Sequence, residues 1–162
     1  MSTRLTTLLL LMSVGTSLAL DPTVTKLFSG RTDGNTGDDS FGQGIDATDT
    51  LLVAGEPGND ERGFGAGAAY VFDAASGARR FKLLAPDGAA GDSFGNSVSI
   101  SGNRIVVGAP GRAGDVGAAY VFDAGTGKFI GRLFHTLASS GDAFGTSVAI
   151  EGDTVAVGAP GG

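Results

Sequence analysis

The groups in this chain that could do chemistry are few. One histidine, His135, and no cysteine exclude thiol catalysis and a multi-histidine metal site. Ser139 and Ser140 stand in a loop without the strand-to-helix elbow that exposes a hydrolase nucleophile. Gly63-Phe64-Gly65-Ala66-Gly67 contains G-x-G, but no helix follows it, so a dinucleotide site is not supported. The acidic run Asp33 to Asp38 has the look of a calcium loop. Its sixth position is Asp38 where glycine is needed, and its twelfth is Gly44 where glutamate is needed. Asp39, Asp92 and Asp142 each stand two residues before a phenylalanine, where an aspartate caps a turn by accepting from backbone N–H groups. No catalytic, cofactor-binding or metal-ligating residue is expected, and no calcium requirement for folding.

The elements that carry these groups repeat. Gly91 to Pro110 reads GDSFGNSVSISGNRIVVGAP; it returns from Gly141 as GDAFGTSVAIEGDTVAVGAP and from Asp38 as DDSFGQGIDATDTLLVAGEP. The step from Phe to the Gly of Gly-x-Pro is fourteen residues each time, Phe41 to Gly55, Phe94 to Gly108 and Phe144 to Gly158. The copies are centred on 41–57, 94–110 and 144–160. Within each, period-two alternation such as Val98-Ser99-Ile100 predicts a strand. A tight turn at Gly102-Asn103 or Gly152-Asp153 follows, at residues that accept positive φ. The partner strands are short and β-branched, Ile105-Val106-Val107 and Val155-Ala156-Val157, with Leu51-Leu52-Val53 as the first copy's equivalent.

Ala68-Ala69-Tyr70-Val71-Phe72-Asp73-Ala74 then recurs unchanged at Ala118 to Ala124. A fourth strand carries Lys82-Leu83-Leu84 or Arg132-Leu133-Phe134, and Lys26-Leu27-Phe28 matches it near the N-terminus. Four short antiparallel strands in about 50 residues are the signature of a β-propeller blade, and the fold class is all-β. An irregular β-sandwich is the alternative architecture. His135 has Ala85 as its counterpart and is expected at an exposed outer-strand position.

Residues 1–19 combine Arg4, the apolar run Leu8 to Met12 and small residues ending in Ala19, which predicts a signal peptide cleaved after Ala19. The run is too short to span a bilayer, and no later stretch is apolar enough to do so. Residues 20–162 form the repeat domain. Loss of Arg4 with the leader moves the net charge from −6 to −7, which argues against a nucleic-acid partner. Without cysteine, an exported chain must be held by packing alone.

Phe94-Gly95 to Gly108-Ala109-Pro110, with the copies at Phe144 and Phe41, resembles the FG-GAP repeat of integrin α-subunit propellers and of many bacterial secreted proteins. The likeness covers 26–162. The first copy departs at Glu56, where alanine is expected, and at Gly44-Ile45, where the others read Ser-Val. Many integrin-type copies carry a calcium loop in the first hairpin. Here that hairpin holds only Ser101-Gly102-Asn103 or Glu151-Gly152-Asp153, too few oxygens for a 6–8-coordinate ion. In a propeller each repeat phenylalanine is expected to plug the seam between blades, and the glycine after it to leave room where chains approach closely.

The resemblance implies an extracellular scaffold for protein or glycan binding or adhesion; the alternative is the non-catalytic propeller portion of a longer extracellular enzyme. A third Tyr of the Ala-Ala-Tyr strand would fall at position 170, beyond Gly162. The chain is therefore expected to be part of an incomplete propeller, partnered by further blades or by self-association. Matched blades differ most at Glu56 to Phe64, three residues longer than its counterpart. The candidate partner-binding patch is its tip, Asp60, Glu61 and Arg62, with Arg112 and Asp115 on the neighbouring loop.

Overall fold

The computed structural model describes Leu10, Leu11, Lys26, Leu27 and residues 39–162. The predicted leader and the acidic segment 33–38 therefore lie outside the described residues, apart from a two-residue parallel pair, β1 (Leu10–Leu11) with β2 (Lys26–Leu27). From residue 39 onward the strands of each sheet pair antiparallel. The first sheet runs in the order β3 (Ile45–Ala47), β4 (Leu51–Glu56), β5 (Ala68–Asp73), β6 (Arg79–Leu83). The second repeats that meander as β7 (Ser97–Ser101), β8 (Arg104–Ala109), β9 (Ala118–Asp123), β10 (Phe129–Leu133). A third begins with β11 (Ser147–Glu151) and β12 (Thr154–Gly158). These sheets stack as propeller blades, and they do not close into a ring.

Alternation along the strands explains the stacking. Leu51, Val53, Ala69, Val71 and Leu83 leave one face of blade 1 and share a core with Ile105, Val107, Tyr120 and Phe122 from the facing side of blade 2. Leu52, Ala54, Tyr70 and Phe72 point from blade 1 the other way. Val106, Ala119, Val121 and Leu133 leave the far side of blade 2 and meet Val148, Ile150, Val155 and Val157 of blade 3. A sheet with period-two side chains and two apolar faces has to be sandwiched, and propeller stacking does this.

Phe94 lies fully buried in the first of these layers, edge-on to Tyr120 and Phe122 at 5.5 and 5.9 Å. Its amide donates to Ala66 of the preceding blade, so ring and backbone both tie blade 2 to blade 1. A Cβ on Gly95 would come within 2.2 Å of the Ala68 carbonyl oxygen, and φ there is +95°, so only glycine fits. The turn caps also form as expected, Asp92 accepting from the Ala89 amide at 2.9 Å and Asp142 from Ser139 at 2.7 Å.

Two details differ from expectation. The fourth strands begin three residues earlier than the Lys/Arg-Leu pattern, at Arg79 and Phe129, and end before Leu84 and Phe134. In the first hairpins only glycine takes positive φ, Gly102 at +56° and Gly152 at +57°; Asn103 and Asp153 do not.

Candidate functional site

The loops joining β4 to β5, β6 to β7 and β8 to β9 gather at one end of the blades. Arg62 donates to the Pro86 carbonyl oxygen at 3.2 Å, and the next residue, Asp87, pairs with Arg112 at 2.9 Å. The five predicted patch residues therefore share this face, but the 86–87 turn separates Arg62 from Arg112. The amides of Gly91, Ser93 and Phe94 donate in turn to the carbonyls of Phe64, Gly65 and Ala66, which locks the long loop onto the next blade.

Their roles differ. Asp60 is a loop holder, its Oδ1 accepting from the Gly65 amide at 2.7 Å. Glu61 pairs with Lys82 of β6. Asp115 sits at the end of a single helical turn, α1 (Arg112–Asp115), in which Ala113 and Gly114 are left-handed; its carbonyl accepts from Gly141 and Ala143 of the next blade. The most prominent apolar group is one that the reading by charge passed over. Phe64 is 84% exposed at the loop tip, between Gly63 and Gly65 at φ +121° and +62°. The signal was present, since no aromatic stands at the matching place in the second copy.

Behind the loops lie two polar centres, one buried around Glu56 and one nearer solvent around Asp87, that solve one problem differently. Tyr120 donates to Asp87 Oδ1 at 2.8 Å, and Arg112 and Arg132 both pair with Asp87 Oδ2. Burial opposes ionisation of Asp87, but the hydrogen bonds from Arg112 and Tyr120 outweigh it and hold its carboxyl down at about 2. Burial and the bond to Asp87 push the Tyr120 hydroxyl up to about 12. Burial pushes Asp92 up, opposed by the Ala89 amide and by Arg112, whose Nε is 3.6 Å away.

In blade 1 the equivalent Tyr70 hydroxyl donates instead to Glu56 Oε2 at 2.7 Å, and Asn59 Nδ2 donates to the same oxygen at 2.8 Å. Burial and the bond to Glu56 raise the Tyr70 hydroxyl well above its ordinary value. Glu56 stands where blade 2 has Ala109, and Asn59 where it has Arg112. Lys82 lies over the Tyr70 ring at 5.4 Å and reaches Asn59 Oδ1 at 3.4 Å. Both centres tie the loop face to the strands beneath it and stiffen it.

His135 is exposed in the turn after β10, and its carbonyl accepts from Ala138. Ser140 Oγ donates to the Gly114 carbonyl at 2.6 Å, a loop contact. Among the described residues, no three His, Cys, Asp or Glu side chains converge as metal ligands would.

Comparison with known proteins bears on the whole chain. The family model of the FG-GAP repeat matches residues 24–72, 79–122 and 132–162. No curated protein matches the sequence. Among solved structures, the computationally designed Ika8 protein is similar with a TM-score of 0.49 at 18% identity, over 73% of this chain and 30% of that chain. This chain thus spans under a third of that protein's length.

Proposed function

The chain belongs to the FG-GAP repeat family, and from that premise we propose that it is a secreted or cell-surface propeller scaffold whose loop face binds an extracellular protein or glycan. The observation that carries this reading is that Phe64 and Arg62 both stand exposed on one loop pinned to the next blade. An exposed aromatic beside an arginine, both held at low entropic cost, is the composition of a binding hot spot. Repeated strands supply the packing, so variation between matched loops is free to carry specificity. The predicted leader fits this address, FG-GAP repeats are typical of extracellular proteins, and no described helix is long and apolar enough to cross a membrane. The same reading makes the chain a binding module, with no reaction assigned to it.

The test is a glycan array and a panel of extracellular-matrix proteins, screened with the wild-type chain and with an Arg62→Ser/Phe64→Ser variant. Asp60 is left in place because it holds the loop. The expected result is a ligand that the variant binds at least about tenfold more weakly. Equal affinity of the two proteins for every ligand found would remove the loop face from recognition.

A further inference from the structure

At the root of the long β4–β5 loop, three groups able to react with one another stand in contact. Lys82 Nζ, from β6, lies 3.4 Å from Asn59 Oδ1, the carbonyl oxygen of a buried side-chain amide. The other end of that amide, Nδ2, donates to Glu56 Oε2 at 2.8 Å. Glu56 is fully buried, and its Oε1 has no hydrogen-bond partner among the described residues. The Glu61 backbone amide also donates to Asn59 Oδ1, at 3.2 Å, and the Glu61 carboxylate holds the Lys82 ammonium. Lys82 lies over the Tyr70 ring, whose hydroxyl donates to Glu56. An amine, a carboxamide and a carboxylate are thus packed together in a largely buried place. Blade 2 keeps the tyrosine, as Tyr120, and replaces the other three together: Ala109 for Glu56, Arg112 for Asn59 and Arg132 for Lys82.

We propose that Lys82 and Asn59 join in an intramolecular isopeptide bond, a self-modification site in which Glu56 carries a proton. Lys82 gives one proton to Glu61, and the free amine attacks Asn59 Cγ, forming the Nζ–Cγ bond. The charge that grows on Oδ1 is met by the Glu61 backbone amide. Glu56 takes a second proton from Nζ and delivers it to Nδ2, to which it is already hydrogen-bonded. The Cγ–Nδ2 bond breaks and ammonia leaves, carrying the Glu61 proton away as ammonium. The third Nζ proton stays on the new amide, and no oxidant is needed. Holding the amine against the amide in a fixed frame supplies the activation that such an exchange lacks in water. The bond ties β6 to a loop residue 23 positions earlier, as a disulfide would, in a chain without cysteine. It anchors the base of the loop that presents Phe64, and it stands whether or not that loop has a ligand.

Intact-mass spectrometry of the purified full chain, incubated at neutral pH, tests the proposal. We expect a mass about 17 Da below that of the sequence counted from its observed N-terminus, the loss of one ammonia. Tandem spectra of a tryptic digest should then contain a branched peptide that joins the Asn59 segment to the Lys82 segment. Lys82→Arg and Asn59→Ala should each show the unreduced mass of their own sequence. Glu56→Gln, which keeps the size of the side chain, should accumulate the bond about a hundredfold more slowly. An unreduced wild-type mass overturns the proposal, whatever the variants do. So does the same loss without a branched peptide, which would make the product a succinimide at Asn59. A bond that forms at the wild-type rate in Glu56→Gln overturns the part given to Glu56.

Discussion

The Tyr70 hydroxyl donates to Glu56 Oε2 at 2.7 Å, inside a pair from which solvent is excluded, while Glu56 Oε1 is equally buried and has no hydrogen-bond partner among the described residues. A carboxylate that satisfies its donors through one oxygen is poorly compensated for its lost hydration. Blade 2 reaches the same end with Asp87, which lies nearer solvent and takes two arginines.

The first prediction follows from that pair. Glu56→Ala restores the residue found at the matching position, Ala109, but strands the Tyr70 hydroxyl and the Asn59 amide without their acceptor. It should cost about 1–3 kcal/mol in urea unfolding. Adding Tyr70→Phe to that variant should recover part of the loss, since it removes one stranded donor. A double variant no more stable than Glu56→Ala would show that the hydroxyl finds another acceptor.

Phe94 and Phe144 hold the same repeat position in different burial. Phe94 is enclosed by Tyr120 and Phe122, and its change to alanine should cost about 3–5 kcal/mol. Phe144 is half-buried on an open groove, so Phe144→Ala should cost clearly less. Equal losses in parallel denaturant titrations would contradict this difference in packing.

Much of this organisation is legible in the sequence alone. The fourteen-residue step from Phe41, Phe94 and Phe144 to its Gly-x-Pro gives the first hairpin, and the identical Ala-Ala-Tyr-Val-Phe-Asp strands give the third. Repetition fixes what packing requires everywhere. It is silent on how single residues satisfy one another across the seam. Glu56 was visible only as a departure from alanine, and its partners Tyr70 and Asn59 depend on a loop path that no pattern encodes. Asp87 carried no signal except its absence from the next copy, where Leu137 stands. Phe64 carries no charge, so charge alone does not reveal that the glycines of this loop present an aromatic.

The pH dependence has two opposing parts. Asp87, held down at about 2 against an unfolded value of about 3.9, binds fewer protons folded than unfolded in that interval. Its stabilisation is full above the unfolded value and is lost as pH falls toward 2. Asp92 is raised, so its contribution has the reverse sign: stability declines as pH rises through its folded value. Thermal melts from pH 7 to pH 2 should therefore fall most steeply below about pH 4. Asp87→Asn should flatten that acid limb, whereas Asp92→Asn should leave it in place. An acid limb unchanged by Asp87→Asn would assign it to other carboxylates, Asp73 first among them, since the Ser76 amide and Arg80 also hold it at about 2.

The last prediction concerns what joins the inner strands of the three blades. Ser99 Oγ donates to Asp46 Oδ2 at 2.9 Å, the Ile100 amide donates to the same oxygen at 2.8 Å, and the Ile150 amide reaches Ser99 Oγ at 3.3 Å. One carboxylate on β3 thus ties down β7, and the serine on β7 passes the contact to β11. The matching position in blade 3 is Ala149, so the relay ends there. Asp46→Ala leaves the Ser99 hydroxyl and the Ile100 amide without their shared acceptor in a partly buried place, at a cost of about 1–3 kcal/mol. Because those donors lie between blades, the effect should appear first as faster hydrogen exchange at the Ile100 and Ile150 amides, ahead of global unfolding. Ser99→Ala should expose Ile150 while leaving the Ile100 amide protected by Asp46. If Asp46→Ala and Ser99→Ala gave the same exchange pattern at both amides, the two bonds would not form a relay with a direction.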